Sequence, residues 1–252
     1  MLVICCGMPR SGSTLQFNIV WKVLSISRTG DKLEWRPANE WRADDAELRA
    51  AASGEKFYAL KTHHPTAELK DIAQHSGAKL VYCHRDLRDV VHSMKVKFDF
   101  STLRAIQRVS ESLEVEKWLH EFAADGGSVL AQDYARLLHD LPGSVREVEQ
   151  FFGIRLSDAD RDAIVAELSI DNAYKESRAK TVRFEHLRRR VGRLLGRRPV
   201  FANEALMLHP RHVSEHKGQI GVWRDNLSAR ELSEIENAFG ERLSQGFELH
   251  GN

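Results

Sequence analysis

The sequence predicts an α/β fold, a central, mostly parallel sheet flanked by helices. Three observations predict it. Short apolar runs of strand length alternate with longer segments of helical period. The first run leads through a glycine-containing loop straight into a helix. No internal repeat and no Pro- or Gly-rich linker divides the 252 residues, so 1–252 is read as a single domain.

The elements follow in order. Residues 2–6, Leu-Val-Ile-Cys-Cys, form a short buried strand bounded by Gly7. Gly7-Met8-Pro9-Arg10-Ser11-Gly12-Ser13-Thr14 is rich in turn formers, and Leu15, Ile19 and Val23 then recur at helical spacing. Residues 28–56 are polar and irregular, with one short helix over 44–52. Residues 57–61 form a second strand, 66–75 a helix, 79–84 a third strand and 86–97 the helix behind it. A long helix fills 102–124, and 128–131 is a short fourth strand. Helices follow over 144–152 and 157–167, the second capped by Ser157. Residues 173–212 are Arg-rich without a clean period and read as an excursion from the core, a basic lid or substrate loop. A last helix runs over 229–239.

Composition narrows the function. Hydrophobic residues at 42% and charged residues at 29% describe a globular chain. The net charge of +1 argues against a generic polyanion binder, so no nucleic-acid partner is expected. Cys5, Cys6 and Cys83 are too few for a disulfide scaffold and sit in apolar runs, which reads as reduced and buried. No stretch approaches the ~18 apolar residues of a membrane span, and a cytoplasmic protein is expected. The charge is uneven: residues 175–217 hold 12 Lys plus Arg against 4 Asp plus Glu, a local excess of +8. Six arginines fall within 187–198, either a solvated face or a lid that funnels anions.

Three motifs carry chemistry. Gly7-x4-Gly12-Ser13-Thr14 has the spacing of a phosphate-binding loop, whose backbone N–H groups and following helix point at an anion. Ser13 stands where nucleotide triphosphatases place Lys, which counts against ATP or GTP hydrolysis and leaves Arg10 as the loop's one cation. Arg85 ends the third strand and Ser93 lies on the helix behind it, so the two could share a second anion. The plainer alternative makes Arg85, Asp86, Arg88 and Asp89 surface ion pairs. Lys61-Thr62-His63-His64-Pro65 lies at the carboxyl end of the second strand, where α/β sheets bind ligands, and His63 can serve as a base near neutral pH. His209-x2-His212-x3-His216 has ligand-like spacing, but Pro210 interrupts it and no Cys is near, so no metal site is expected.

These motifs, with Lys217-Gly218-Gln219-Ile220-Gly221-Val222-Trp223-Arg224, occur in the order and spacing of sulfotransferases, and the chain resembles that family from about residue 2 to about residue 240. Matching weakens over 28–56 and 170–212. The resemblance implies a P-loop NTPase-like fold and 3′-phosphoadenosine 5′-phosphosulfate (PAPS) as donor, PAP as product and no metal. It implies that Arg10, Ser11, Gly12, Ser13 and Thr14 hold the 5′-phosphosulfate. It places Arg85, Ser93, His216, Lys217 and Gly218 at the 3′-phosphate, Tyr134 near the adenine, His63 as the base and Lys61 near the leaving oxygen.

Three departures stand out. Arg10 replaces the family's usual Lys and keeps its charge while being a poor proton donor. Leu15 replaces an adenine-stacking Trp. His216 replaces an Arg, which removes a permanent charge from the 3′-phosphate and is expected either to weaken donor binding or to make it pH-dependent. The acceptor, a small molecule or carbohydrate offering a hydroxyl or amine, is not readable. Trp35, Trp41, Phe98, Phe100, Phe184 and Phe201 are candidates for its pocket, and Glu34 and Glu40 are reserve bases. A phosphotransferase with a modified loop is the alternative activity, and a homodimer is left open.

Overall fold

A computed structural model describes residues 1–33, 36, 40–42, 44–178, 203, 205–209 and 212–249. Strands β1 Leu2–Cys5, β2 Gly30–Lys32, β3 Phe57–Lys61, β4 Lys79–His84 and β5 Ser128–Asp133 form one sheet. Their order is β2-β3-β1-β4-β5, and every neighbouring pair is parallel. Ile4 at the centre of β1 sits beside Leu60 of β3 and Leu80 of β4. The chain leaves β1 toward β2 on one side and leaves β4 toward β5 on the other. The carboxyl ends of β1 and β4 are therefore the switch point, the place where such sheets bind ligands.

Strand alternation divides the core. Leu2, Ile4, Leu60, Leu80 and Tyr82 face one layer, with α2 Ala46–Ser53, α3 Ala67–Ser76, α4 Leu87–Phe98, α5 Thr102–Ala124 and the C-terminal helix Ala229–Gln245. Val3, Cys5, Ala59, Val81 and Cys83 face the other, with α1 Ser13–Ile26, α7 Leu141–Phe152 and α8 Asp158–Leu168. Burying each large aliphatic side chain contributes about 1.5–3 kcal/mol, so this two-sided burial fixes the strand ends that carry the site. Side-chain caps fix the helix starts: Thr66, Ser101 and Ser157 each accept a backbone N–H three residues on, and Ser228 with Glu231 forms a capping box.

Some elements differ from the sequence expectation. The 28–56 stretch contains β2, whose three residues Gly-Asp-Lys carry no apolar pattern; the ladder to β3 makes it a strand. The fourth expected strand runs on from 131 to Asp133, and Asp133 caps a short helix α6 Tyr134–His139. Helix α9 Ile170–Glu176 occupies the start of the expected excursion. A further turn, α10 Trp223–Asn226, precedes the C-terminal helix α11 Ala229–Gln245, which is longer than its apolar pattern suggested. The Arg-rich stretch 187–198 and residues Glu34, Trp35, Phe184 and Phe201 lie outside the described residues. Cys5, Cys6 and Cys83 are free and buried, and burial pushes all three thiols up. Among the described residues no helix is long and apolar enough to cross a membrane.

Candidate active site

The loop between β1 and α1 is built for an anion. Met8 N–H donates to the Cys83 carbonyl at 3.0 Å, and the Ser11 hydroxyl sits 2.6 and 2.8 Å from the carbonyl oxygens of Met8 and Cys83. The loop is thus tied to β4 by its buried side. Gly12, at φ 85°, caps α1 with no side-chain hydrogen bond, and the first turn of α1 holds no acidic residue. The N–H groups of that turn are left for a ligand. A Cβ at Gly12 would lie 2.7 Å from the Tyr134 ring, and one at Gly218 (φ 76°) would meet the Tyr134 hydroxyl. Tyr134 is thereby wedged between the loop and the C-terminal turn, its hydroxyl donating to the Gly218 carbonyl at 2.8 Å. That ring joins the two segments; it is 7% exposed, so little of it remains open to a base.

Two further groups arrive from the end of β3. Lys61 Nζ donates to Thr14 Oγ1 at 2.8 Å, placing an ammonium on the first turn of α1. His63 Nδ1 lies 2.7 Å from the Gly7 carbonyl oxygen. A carbonyl only accepts, so Nδ1 carries the proton and Nε2 keeps its lone pair. Burial, with the Lys61 charge beside it, holds the His63 imidazole down at about 3, and the ring is neutral. Burial, reinforced by Arg10, lowers the Lys61 ammonium to about 8. Burial, then Arg85, lowers Arg10 to about 10. Among the described residues neither Arg10 nor Lys61 has a carboxylate partner. Arg10 itself sits at φ 67°, a left-handed conformation that residues other than glycine adopt at a cost of about 1–3 kcal/mol.

Arg85, at the end of β4, is the hub of the second anion region. Its guanidinium lies 4.3 Å over the Tyr134 ring, donates to the Gln219 carbonyl at 2.9 Å and pairs with Asp89 at 3.4 Å. Its Nε is buried without a partner. Arg10 Nε donates to Ser93 Oγ at 2.9 Å, and Arg85 reaches the Arg10 carbonyl at 3.4 Å. The two anion sites expected to be separate are thus linked through Arg10. Lys217 Nζ donates to Asp171 Oδ1 at 2.5 Å and faces the Tyr174 ring, so its ammonium is already engaged within the protein. His216 is exposed and lies near enough to His92 on α4 for their charges to interact.

The structure brings Arg10, Ser11, Gly12, Ser13, Thr14, Lys61 and His63 together at one end of the sheet, with Arg85, Ser93, Tyr134 and Gly218 adjoining. The orphaned Arg85 Nε, the uncapped helix and the two cations without carboxylates fit a ligand with two anionic ends. Glu40 is exposed on a short turn, and no observation joins it to His63. Among the described residues no group of three or more His, Cys, Asp or Glu is placed to hold a metal ion. The plainer alternative places Asp89 in a surface ion pair. It is 1% exposed and accepts from the backbone N–H of Gly221 and Trp223 at 2.8 and 3.4 Å, anchoring the whole C-terminal turn. Its only sequence signal was the i, i+4 spacing to Arg85.

A parallel sheet with a phosphate-type loop after its central strand, and a Lys–His pair on the adjoining strand end, defines a group transferase of the P-loop NTPase-like fold. The sulfotransferase-domain family profile matches residues 2–247, and the chain belongs to the sulfotransferase family. Mouse sulfotransferase SULT7A1, solved in complex with PAP, superposes with a TM-score of 0.64 at 15% identity over 97% of this chain and 84% of that one. Retinol dehydratase in complex with retinol and PAP gives 0.60 at 18% identity over 100% and 83%. Its complex with androsterone and inactive cofactor PAP gives 0.55 at 16% over 97% and 81%. These likenesses carry the fold. No sequence among the curated proteins matches the chain.

Proposed function

We propose that the protein transfers the sulfuryl group of PAPS to a hydroxyl or amine of a small-molecule or carbohydrate acceptor. One observation carries this reading: Arg10, Lys61 and the neutral His63 converge on the uncapped start of α1. Bound PAPS would supply an activated sulfuryl group with a phosphate as leaving group. His63 takes the acceptor proton at Nε2 while Gly7 holds its Nδ1–H, freeing the acceptor for in-line displacement at sulfur. Arg10, Lys61 and the loop N–H groups stabilise the negative charge that grows on the bridging oxygen. Arg10 acts by charge and geometry, since a guanidinium hardly releases a proton.

Arg85, Ser93 and the backbone around Gly218 support a 3′-phosphate site, with His216 and Lys217 at its rim. Lys217 joins through its ammonium only by leaving Asp171. The phosphotransferase alternative loses support on two counts. Ser13 supplies no cation, and Thr14, whose counterpart holds magnesium in P-loop NTPases, is engaged by Lys61. The test is a screen of labelled PAPS against phenols, alcohols, sugars and amines. Thermal unfolding with PAP and with ATP accompanies it, since a ligand at 100 times its Kd stabilises by about 2.7 kcal/mol. Label transfer with PAP-selective stabilisation supports the proposal; stabilisation by ATP alone overturns it.

A further inference from the structure

Tyr134 is the first residue of α6, directly after β5. β5 stays paired with β4 to its end, Gln132 beside Cys83 and Asp133 beside His84. Asp133 then accepts the Ala135 N–H at 2.7 Å, so sheet and cap together fix the backbone that carries the ring. From there the side chain touches two segments far apart in sequence. At Gly12 (φ 85°) a Cβ would lie 2.7 and 3.0 Å from ring atoms Cδ2 and Cε2. At Gly218 (φ 76°) a Cβ would strike the hydroxyl, which donates to that residue's carbonyl at 2.8 Å. Both neighbours are glycines in the left-handed region, the residue type that permits so close an approach.

The two segments carry the two anion-binding ends. Gly12 is the N-cap of α1 and opens onto its free N–H groups. Gly218 lies in the turn that Arg85 holds at the Gln219 carbonyl, 2.9 Å away, and Asp89 holds at the Gly221 N–H, 2.8 Å away. Those two ties bind the turn to β4 and α4. Arg85 also approaches the loop, at 3.4 Å from the Arg10 carbonyl, and lies 4.3 Å over the Tyr134 ring. A long guanidinium side chain at that range leaves slack between loop and turn. A phenol has two side-chain torsions, and contacts at both of its ends hold them.

We infer that Tyr134 is a positioning residue, a spacer that sets the distance between the loop and the 217–221 turn. A ligand with anionic groups at both its 5′ and 3′ positions is thereby bound in preference to one that fills the loop alone. This rests on the PAPS reading above and deepens it. The 3′-phosphate adds affinity only when the turn is already held where a ligand seated in the loop can reach it, because ordering the turn on binding would cost what the contact supplies.

Calorimetric titration with PAP and with 5′-AMP, which lacks the 3′-phosphate, tests this without any acceptor. Tyr134→Phe keeps the ring edge on Gly12 and removes the bond to Gly218. It should weaken PAP by about tenfold while 5′-AMP stays within about twofold. The ratio of the two affinities is the reading, and a general loss of stability would not move it. Unchanged 5′-AMP affinity also reports that the variant has folded. Equal weakening of both ligands, weakening of neither, or a wild-type ratio near one overturns the inference and leaves the proposed sulfuryl transfer standing. Wild-type protein that binds neither ligand overturns both together.

Discussion

Around Arg10 and Lys61 the cations have hydroxyls for partners: Ser93 for one, Thr14 for the other. Around Arg85 and Lys217 they have carboxylates: Asp89 at 3.4 Å and Asp171 at 2.5 Å. Among the described residues the first region has no carboxylate to compensate its positive charge, and that charge adds to the burial that depresses His63 and Lys61. The second is compensated by the protein itself and also serves as a joint, because Asp89 holds the backbone of Gly221 and Trp223. Under the proposed function, the difference corresponds to two roles: a field held ready for charge that develops in reaction, against a structural clasp that a phosphate would have to share.

The sharpest way to break this contrast is Asp89→Asn. It removes a buried charge from Arg85 and weakens the two backbone anchors. Breaking a buried pair costs about 3–5 kcal/mol. The melting temperature should fall on the order of 10 °C, as read by calorimetry. Lys61→Met should do the reverse. Stability should hold or rise, because a buried cation without a carboxylate is removed. Sulfuryl transfer should drop about 10²–10³-fold, as when one preorganised charge donor is lost. A large loss of stability in Lys61→Met would place Lys61 with the structural clasp.

A smaller effect follows from His63. Its folded value near 3 lies below the ordinary 6.5, so the unfolded chain takes the proton first. Stability is therefore complete above about 6.5 and is lost as pH falls from there toward about 3. His63→Asn should flatten part of that slope in melting temperature against pH. Saturating PAP should flatten it too, because an anion beside the ring favours the imidazolium. His64, His84, His92 and His212 are shifted the same way, so some slope should persist in the variant. The smallest effect belongs to the exposed Lys217–Asp171 pair. Asp171→Asn should change PAP affinity by no more than about threefold, read by titration, since exposed pairs contribute little.

The parts of the fold legible in the sequence are those set by local pattern. Strands β3 and β4 and helix α5 have the bounds their apolar runs and flanking polar residues announce. β2 was hidden because pairing alone makes Gly-Asp-Lys a strand, and α6, α9 and α10 are too short for a helical period to show. The site divides in the same way. Arg10, Lys61 and His63 lie at or beyond strand ends, where sheet geometry gathers them. The burial of Asp89 was not legible, because the backbone that anchors it, at Gly221 and Trp223, lies about 130 positions away.

The central claim is that His63 takes the acceptor's proton in a field built for the donor. Its most direct test is turnover of labelled PAPS with the best acceptor from the screen, comparing wild type with His63→Ala, alongside PAP titration of both. The expected result is a loss of about 10²–10⁴-fold in transfer with PAP affinity nearly unchanged. Near-normal turnover in His63→Ala would contradict the account.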